Sequence, residues 1–241
     1  MSPALGVAVL VAAMLTLLDA PPWNGLPIPR ERRGLWLERH AELVRLAHAA
    51  PIDVLFLGDS ITDGWRTTGR RVWDTRFAPL RGANFGIGGD ATADLLWRIR
   101  HGELAGFEPR VIVLLIGTND LPWSFAVRPS AECGRVAAAA VGQCVAEIQR
   151  RQPRAQLLLL AIFPRGAPGD PSREAIQAAN AALSRLAGVR YLDLSDRFLR
   201  GDALPPELMP DAWHLSERGY AVWGAALEPV VRELLARSPG S

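Results

Sequence analysis

Short unbroken apolar runs alternate along this chain with longer stretches in which apolar positions recur every three or four residues. The runs at 54–57, 83–85, 111–116, 157–163 and 189–194 are strand-length and bounded by turn-forming residues, which predicts five β-strands. Helical spacing falls between and after them, at 35–49 (with Trp36, His40, Leu43 and Ala47 on one face), 92–101, 131–150, 173–186 and 217–236. Alternation of strand and helix predicts a parallel sheet covered on both sides, an α/β architecture. The run 111–116 shows no polar alternation, so it belongs near the centre of the sheet, buried on both faces.

No internal repeat or low-complexity linker interrupts the pattern, and the only Pro-rich stretch is the lead-in at 21–29. A chain of 241 residues, about half of them apolar, is long enough for one core, so residues 21–241 are read as a single domain. Residues 1–20 stand apart. Nothing in 1–18 is charged and Leu5 to Leu18 is apolar, which resembles the core of a signal peptide. No basic residue precedes it, cleavage after Ala20 would put Leu18 where a small residue is usual, and the length approaches that of a membrane span. The expectation is a secreted or periplasmic protein, with an N-terminal membrane anchor or a cytoplasmic location as the alternatives. Cys133 and Cys144 lie eleven residues apart on one predicted helix. That is about 16 Å along the axis, against the about 7 Å a disulfide tolerates, so both are expected free and core-facing.

Charge narrows the range of partners. The formal net charge is +2 and every Lys or Arg position is arginine. The basic clusters Arg30/Arg32/Arg33, Arg70/Arg71 and Arg150/Arg151/Arg154 are dispersed and lie beside no nucleic-acid-binding motif, so they read as solvated faces.

Parallel sheets collect chemistry where strands end at their carboxyl edge. Three polar clusters sit there: Gly58-Asp59-Ser60, Gly86-Ile87-Gly88-Gly89-Asp90 and Gly117-Thr118-Asn119-Asp120. A fourth, Asp211-Ala212-Trp213-His214, precedes the final helix. A serine hydroxyl becomes a nucleophile only with a general base in reach, a group orienting that base, and donors for the oxyanion. Among four histidines, His40, His48 and His101 fall on or at the end of helices, which leaves His214 as the base candidate. Asp211, three residues earlier, can hold the imidazole in the tautomer that frees Nε2. Oxyanion donors would be the Ser60 N–H, the N–H of a glycine in the second cluster, and the Asn119 side-chain amide. Each piece has an ordinary reading as well: Asp-Ser as a helix N-cap, the glycines as a tight connection, Asn119-Asp120 as a turn, Asp211 and His214 as caps of the last helix. Their joint occurrence in this order argues for catalysis.

These blocks, with "FLGDSITDGW", "NFGIGGDAT", "LLWRIRHGEL", "VIVLLIGTND" and "LLLLAIFPRG", resemble the SGNH, or GDSL, hydrolase superfamily over most of residues 36–235. Within it they resemble the catalytic subunits of platelet-activating-factor acetylhydrolase IB and their bacterial relatives. The resemblance implies a flavodoxin-like three-layer α/β/α sandwich with a five-stranded parallel sheet, and hydrolysis of carboxylic esters through an acyl-enzyme without metal or cofactor. By motif position it implies Ser60 as nucleophile, His214 as base, Asp211 as its orienter, and Ser60, Gly89 and Asn119 as the oxyanion hole. The chain departs from the acetylhydrolase pattern at Asp120, where the mammalian proteins have a second asparagine, and at Trp213, where a smaller aliphatic is usual. With Trp123 and Phe125, Trp213 would either narrow the site to short acyl groups or give a sugar a stacking surface. The substrate expected is a small-molecule or glycan-linked acyl ester.

Two rivals remain on the sequence. Gly86-x-Gly88-x-x-Ala91 matches a dinucleotide fingerprint in form, but it follows the second strand, and the acidic residue at the expected distance, Glu108, is followed by Pro109 instead of ending a strand. The other is a non-catalytic module that binds acylated glycans on the same fold.

Overall fold

A computed structural model describes residues 30–121 and 128–237. Segment 1–20, with its predicted leader or anchor, and the aromatic pair Trp123 and Phe125 lie outside the described residues. Helix α1 (Arg30–Ala49) leads into β1 (Val54–Gly58), the four-residue helix α2 (Ser60–Asp63), α3 (Arg70–Arg76) and β2 (Gly82–Gly86). Then come α4 (Thr92–Arg98), β3 (Val111–Leu115), α5 (Ser130–Arg151) and β4 (Gln156–Leu160). The chain ends through α6 (Pro171–Leu183), β5 (Arg190–Leu192), the short α7 (Ser195–Phe198) and α8 (Glu217–Ala236).

The five strands form one parallel sheet in the order β2-β1-β3-β4-β5, the flavodoxin-like order. Side chains alternate between its faces. Leu55, Leu57, Ile112, Leu114, Leu157 and Leu159 pack against α1, α4, α5 and α6. Val54, Phe56, Val111, Val113, Leu158 and Leu160 pack on the other side against α3 and α8, where Trp65, Trp73 and Trp223 fill the core. Each such side chain contributes about 1.5–3 kcal/mol when fully buried. Two buried faces make the three layers, and β3, buried at every position, lies in the middle as its sequence requires.

Register sets the site. Gly58 pairs with both Gly86 and Leu115, so β1, β2 and β3 end level with one another. The chain leaves β1 for β2 on one side and returns to β3 on the other, which opens a crevice beyond those ends.

Element ends differ from the pattern for identifiable reasons. The apolar run 157–163 stops being a strand at Leu160, because three-residue β5 has no ladder left to offer. Asn180 of α6 takes over: its Oδ1 accepts the Ile162 N–H at 2.8 Å and its Nδ2 donates to the Ile162 carbonyl at 2.9 Å. Helix 92–101 ends at Arg98 and loosens into a wider turn in which Gly102 takes φ 106°. Helix 173–186 ends at Leu183. The helices α2, α3 and α7 were not predicted, since at four to seven residues they are too short to display a period. Cys133 and Cys144 are both buried and unbridged. No helix among the described residues is long and apolar enough to cross a membrane.

Asn180→Ala leaves the buried amide and carbonyl of Ile162 unpaired, and should cost about 2–4 kcal/mol of stability. The urea midpoint measures it; a loss below about 0.5 kcal/mol, the range of ordinary surface substitutions, would contradict the clamp.

Candidate active site

Ser60 occupies the first position of α2, directly beyond the end of β1. The approach there is close: a Cβ on Gly58 would overlap the Leu115 carbonyl oxygen and Thr62 Oγ1. Asp59, not Ser60, caps the helix, its Oδ1 accepting the Ile61 N–H at 2.9 Å. That leaves the serine hydroxyl unspent. The other Asp59 oxygen, Oδ2, is buried without a hydrogen-bond partner, and burial pushes this carboxyl up to about 7. Two further residues pin α2. Asn84 donates to the Thr62 carbonyl at 2.9 Å while accepting the Gly86 N–H at 2.8 Å. Tyr220 of α8 donates its hydroxyl to the Ile61 carbonyl at 2.7 Å.

His214 arrives on the turn before α8. Asp211 Oδ1 accepts the N–H groups of Trp213 at 2.9 Å and His214 at 2.6 Å, and its Oδ2 lies 2.7 Å from His214 Nδ1. Ala212 is left-handed at φ 56° to make this turn, a conformation strained for a residue with a side chain. Burial raises the Asp211 carboxyl, but hydrogen bonds from the His214 backbone and ring and the Trp213 N–H outweigh it and hold the group below its ordinary value. With Nδ1–H donated to a carboxylate, Nε2 is left as an acceptor, and it lies 3.0 Å from Ser60 Oγ. Neither Asp211 nor His214 caps α8. Ser216 does, accepting the Gly219 N–H at 3.1 Å.

The second and third clusters face the same space. Gly89 sits at φ 87°, which favours glycine and lets the backbone turn across the top of the sheet. Asn119 Nδ2 donates one of its two hydrogens to the Asp90 carbonyl at 2.8 Å. Ser60, Gly88, Gly89, Asn119, Asp211, Trp213 and His214 together line a cleft of about 420 Å³. A larger hollow of about 710 Å³, around Arg150, Arg151 and Arg154, contains none of these groups.

The two departures from the family pattern have structural work. Asp120 accepts the Thr92 N–H at 3.0 Å and the Thr92 hydroxyl at 2.5 Å, capping α4, and burial pushes its carboxyl up to about 6. That carboxylate occupies the helix N-terminus where the dinucleotide reading needs a pyrophosphate. Trp213 packs on Arg165, whose guanidinium carbon lies 4.0 Å from the ring centre. Arg165 in turn donates to the Thr118 carbonyl at 2.6 Å, and burial lowers it to about 10. Two of the remaining histidines have ordinary roles: His40 faces Glu103 at 2.9 Å, and His101 faces the Trp97 carbonyl at 2.7 Å. Asn84, Tyr220, Arg98 and Arg165 escaped the sequence reading. Asn84, Arg98 and Arg165 lie inside the motif blocks, but nothing in those blocks assigns them a role.

The family model described as "GDSL-like Lipase/Acylhydrolase family" matches residues 56–222. Human platelet-activating factor acetylhydrolase IB subunit alpha2 is 33% identical over 209 residues, covering 85% of this chain and 86% of the relative. Among solved structures, a GDSL-like lipase from Bacteroides thetaiotaomicron aligns with TM-score 0.62 at 21% identity, over 81% of this chain and 97% of that one. Axe2, an acetylxylan esterase from Geobacillus stearothermophilus, aligns with TM-score 0.58 at 23% identity, over 75% of this chain and 93% of that one. At these identities the structural likenesses speak to the fold.

Asp59 keeps its proton up to about pH 7 when folded, against about 3.9 when unfolded, so across that window the folded chain binds more protons. Stability should therefore be fullest below about pH 4 for this group and fall as pH rises through 7, by up to about 1.4 kcal/mol per unit. Asp59→Asn, fixed neutral, should raise the melting temperature more at pH 8 than at pH 5. Identical pH dependence in both proteins would contradict the assignment.

Proposed function

We propose that this chain, which belongs to the GDSL-like lipase/acylhydrolase family and is a carboxylic ester hydrolase, cleaves short-chain acyl esters through an acyl-enzyme on Ser60. The observation that carries the reading is the 3.0 Å contact of Ser60 Oγ with His214 Nε2, backed by Asp211 at 2.7 Å from Nδ1. As the hydroxyl attacks the ester carbonyl carbon, its proton passes to Nε2. The imidazolium that forms faces the Asp211 carboxylate, which stabilises it and keeps the ring in place. Negative charge developing on the carbonyl oxygen is met by the N–H groups of Ser60 and Gly89 and the second Asn119 amide hydrogen.

Collapse of the tetrahedral intermediate expels the alcohol, which takes its proton from His214. Water then enters, gives a proton to the same nitrogen and attacks the acyl carbon. A second collapse returns the proton to Ser60 and releases the acid. None of these steps draws on a metal or a redox cofactor.

Acyl length is set by the space beside Ser60. Trp213, stiffened by Arg165 and lining the 420 Å³ cleft, takes up room that a long chain would need. The names acetylhydrolase and acetylxylan esterase, carried by the relative and a structural neighbour, both specify an acetyl group. They support an acetyl ester of a small alcohol or a glycan as the substrate here.

Ser60→Ala should remain folded and lose turnover of p-nitrophenyl acetate, and Asn119→Ala should lower kcat by about a hundredfold to a thousandfold. Residual activity of Ser60→Ala within about tenfold of the unaltered protein would remove Ser60 from the mechanism. Across p-nitrophenyl esters of two to sixteen carbons, kcat/KM should peak at two to four. A peak at long chains would rule out the narrow pocket.

A further inference from the structure

The proposed oxyanion donors come from three separate segments, and something must fix them relative to one another. Arg98, at the end of α4, is fully buried, as is the Asp90 carboxylate beside it. Its guanidinium makes four kinds of contact. Nε donates to Asp90 Oδ2 at 2.7 Å, Nη1 to the Phe85 carbonyl at 3.2 Å and to Glu103 Oε2, and Nη2 to the Gly58 carbonyl at 3.3 Å. Gly58 lies two residues before Ser60. Phe85 and Asp90 bracket Gly88-Gly89. Asp90 carries the link onward: its backbone carbonyl accepts the Asn119 amide at 2.8 Å, and its Oδ1 accepts the Trp36 indole N–H at 2.6 Å, anchoring the loop to α1.

Stability is a poor reason for this arrangement, because burying an ion pair costs desolvation that the attraction often only offsets, and an apolar filling can do as well. Geometry is a better one. Oxyanion donors act only within about 2.7–3.1 Å of where the charge develops, and displacement by about 1 Å can cost a hundredfold in rate. We infer that the Arg98–Asp90 pair is a positioning device for the oxyanion hole, tying the Ser60, Gly89 and Asn119 segments into one unit without touching substrate. The inference rests on the oxyanion assignment made above.

The test is a double-mutant cycle on kcat for p-nitrophenyl acetate with Arg98→Lys and Asn119→Ala. Lysine keeps a cation between Asp90 and Glu103 but cannot span the separate acceptors of a guanidinium fork. Arg98→Lys alone should lower kcat about tenfold to a hundredfold with KM changed less than about threefold, the split expected when a contact is made only in the transition state. If Arg98 acts through the Asn119 segment, the double variant should keep at least about fivefold more activity than the product of the two single losses. An excess under about fivefold would mean that Arg98 acts elsewhere and would overturn the inference, leaving the oxyanion assignment standing. Asn119→Ala costing less than about tenfold would instead end that assignment and the inference with it. Should melting show Arg98→Lys unfolded, Asp90→Asn takes its place in the same cycle with the same two outcomes.

Discussion

The contact between Ser60 Oγ and His214 Nε2 joins groups 154 residues apart in the chain, and the order of the fold can be understood as what holds it at 3.0 Å. Ser60 is fixed from below by β1, from one side by Asn84 on β2, and from the other by Tyr220 on α8. His214 is fixed by the turn that ends where α8 begins. One helix therefore braces both partners: α8 carries Tyr220 into α2 and positions the histidine turn at its own N-terminus.

The same edge concentrates polar groups, several of them buried. Asp59, Asp90 and Asp120 all end at or near the level of Gly58, Gly86 and Leu115, and burial raises the carboxyls of all three. Asp120 is repaid by two donors from Thr92, whereas Asp59 Oδ2 has none. A buried acceptor without a partner costs about 1–3 kcal/mol. The fold tolerates this beside Ser60 because two hydrophobic layers, one on each face of the sheet, carry the stability.

How much of this was legible in the sequence depended on the range of the interaction. Strand cores such as 111–115 show as unbroken apolar runs, since burial on both faces leaves no other composition. Strand ends were misread where pairing partners run out, as at Ile162, because the run alone does not reveal that Asn180 replaces β5. The residues at the crevice were legible because serine, asparagine, aspartate and histidine at strand ends are the few types that can do acyl transfer, and their order matched a known set of motifs. Arg98, Tyr220 and Arg165 were opaque. Each bonds to a backbone carbonyl far away in sequence, and a carbonyl carries no mark of its own in the sequence. Asp120 and Trp213 looked like departures from a pattern and proved to be structural parts, a helix cap and an arginine-backed wall.

The proposed chemistry depends on activation of Ser60 by His214. The most direct measurement is the rate and site of covalent labelling by diethyl p-nitrophenyl phosphate, followed by intact mass and peptide mapping. One diethylphosphoryl group should attach to Ser60, and His214→Ala should slow its attachment by about a hundredfold or more, the usual contribution of a positioned base. Labelling at a different residue, or at Ser60 with an unchanged rate in His214→Ala, would contradict it.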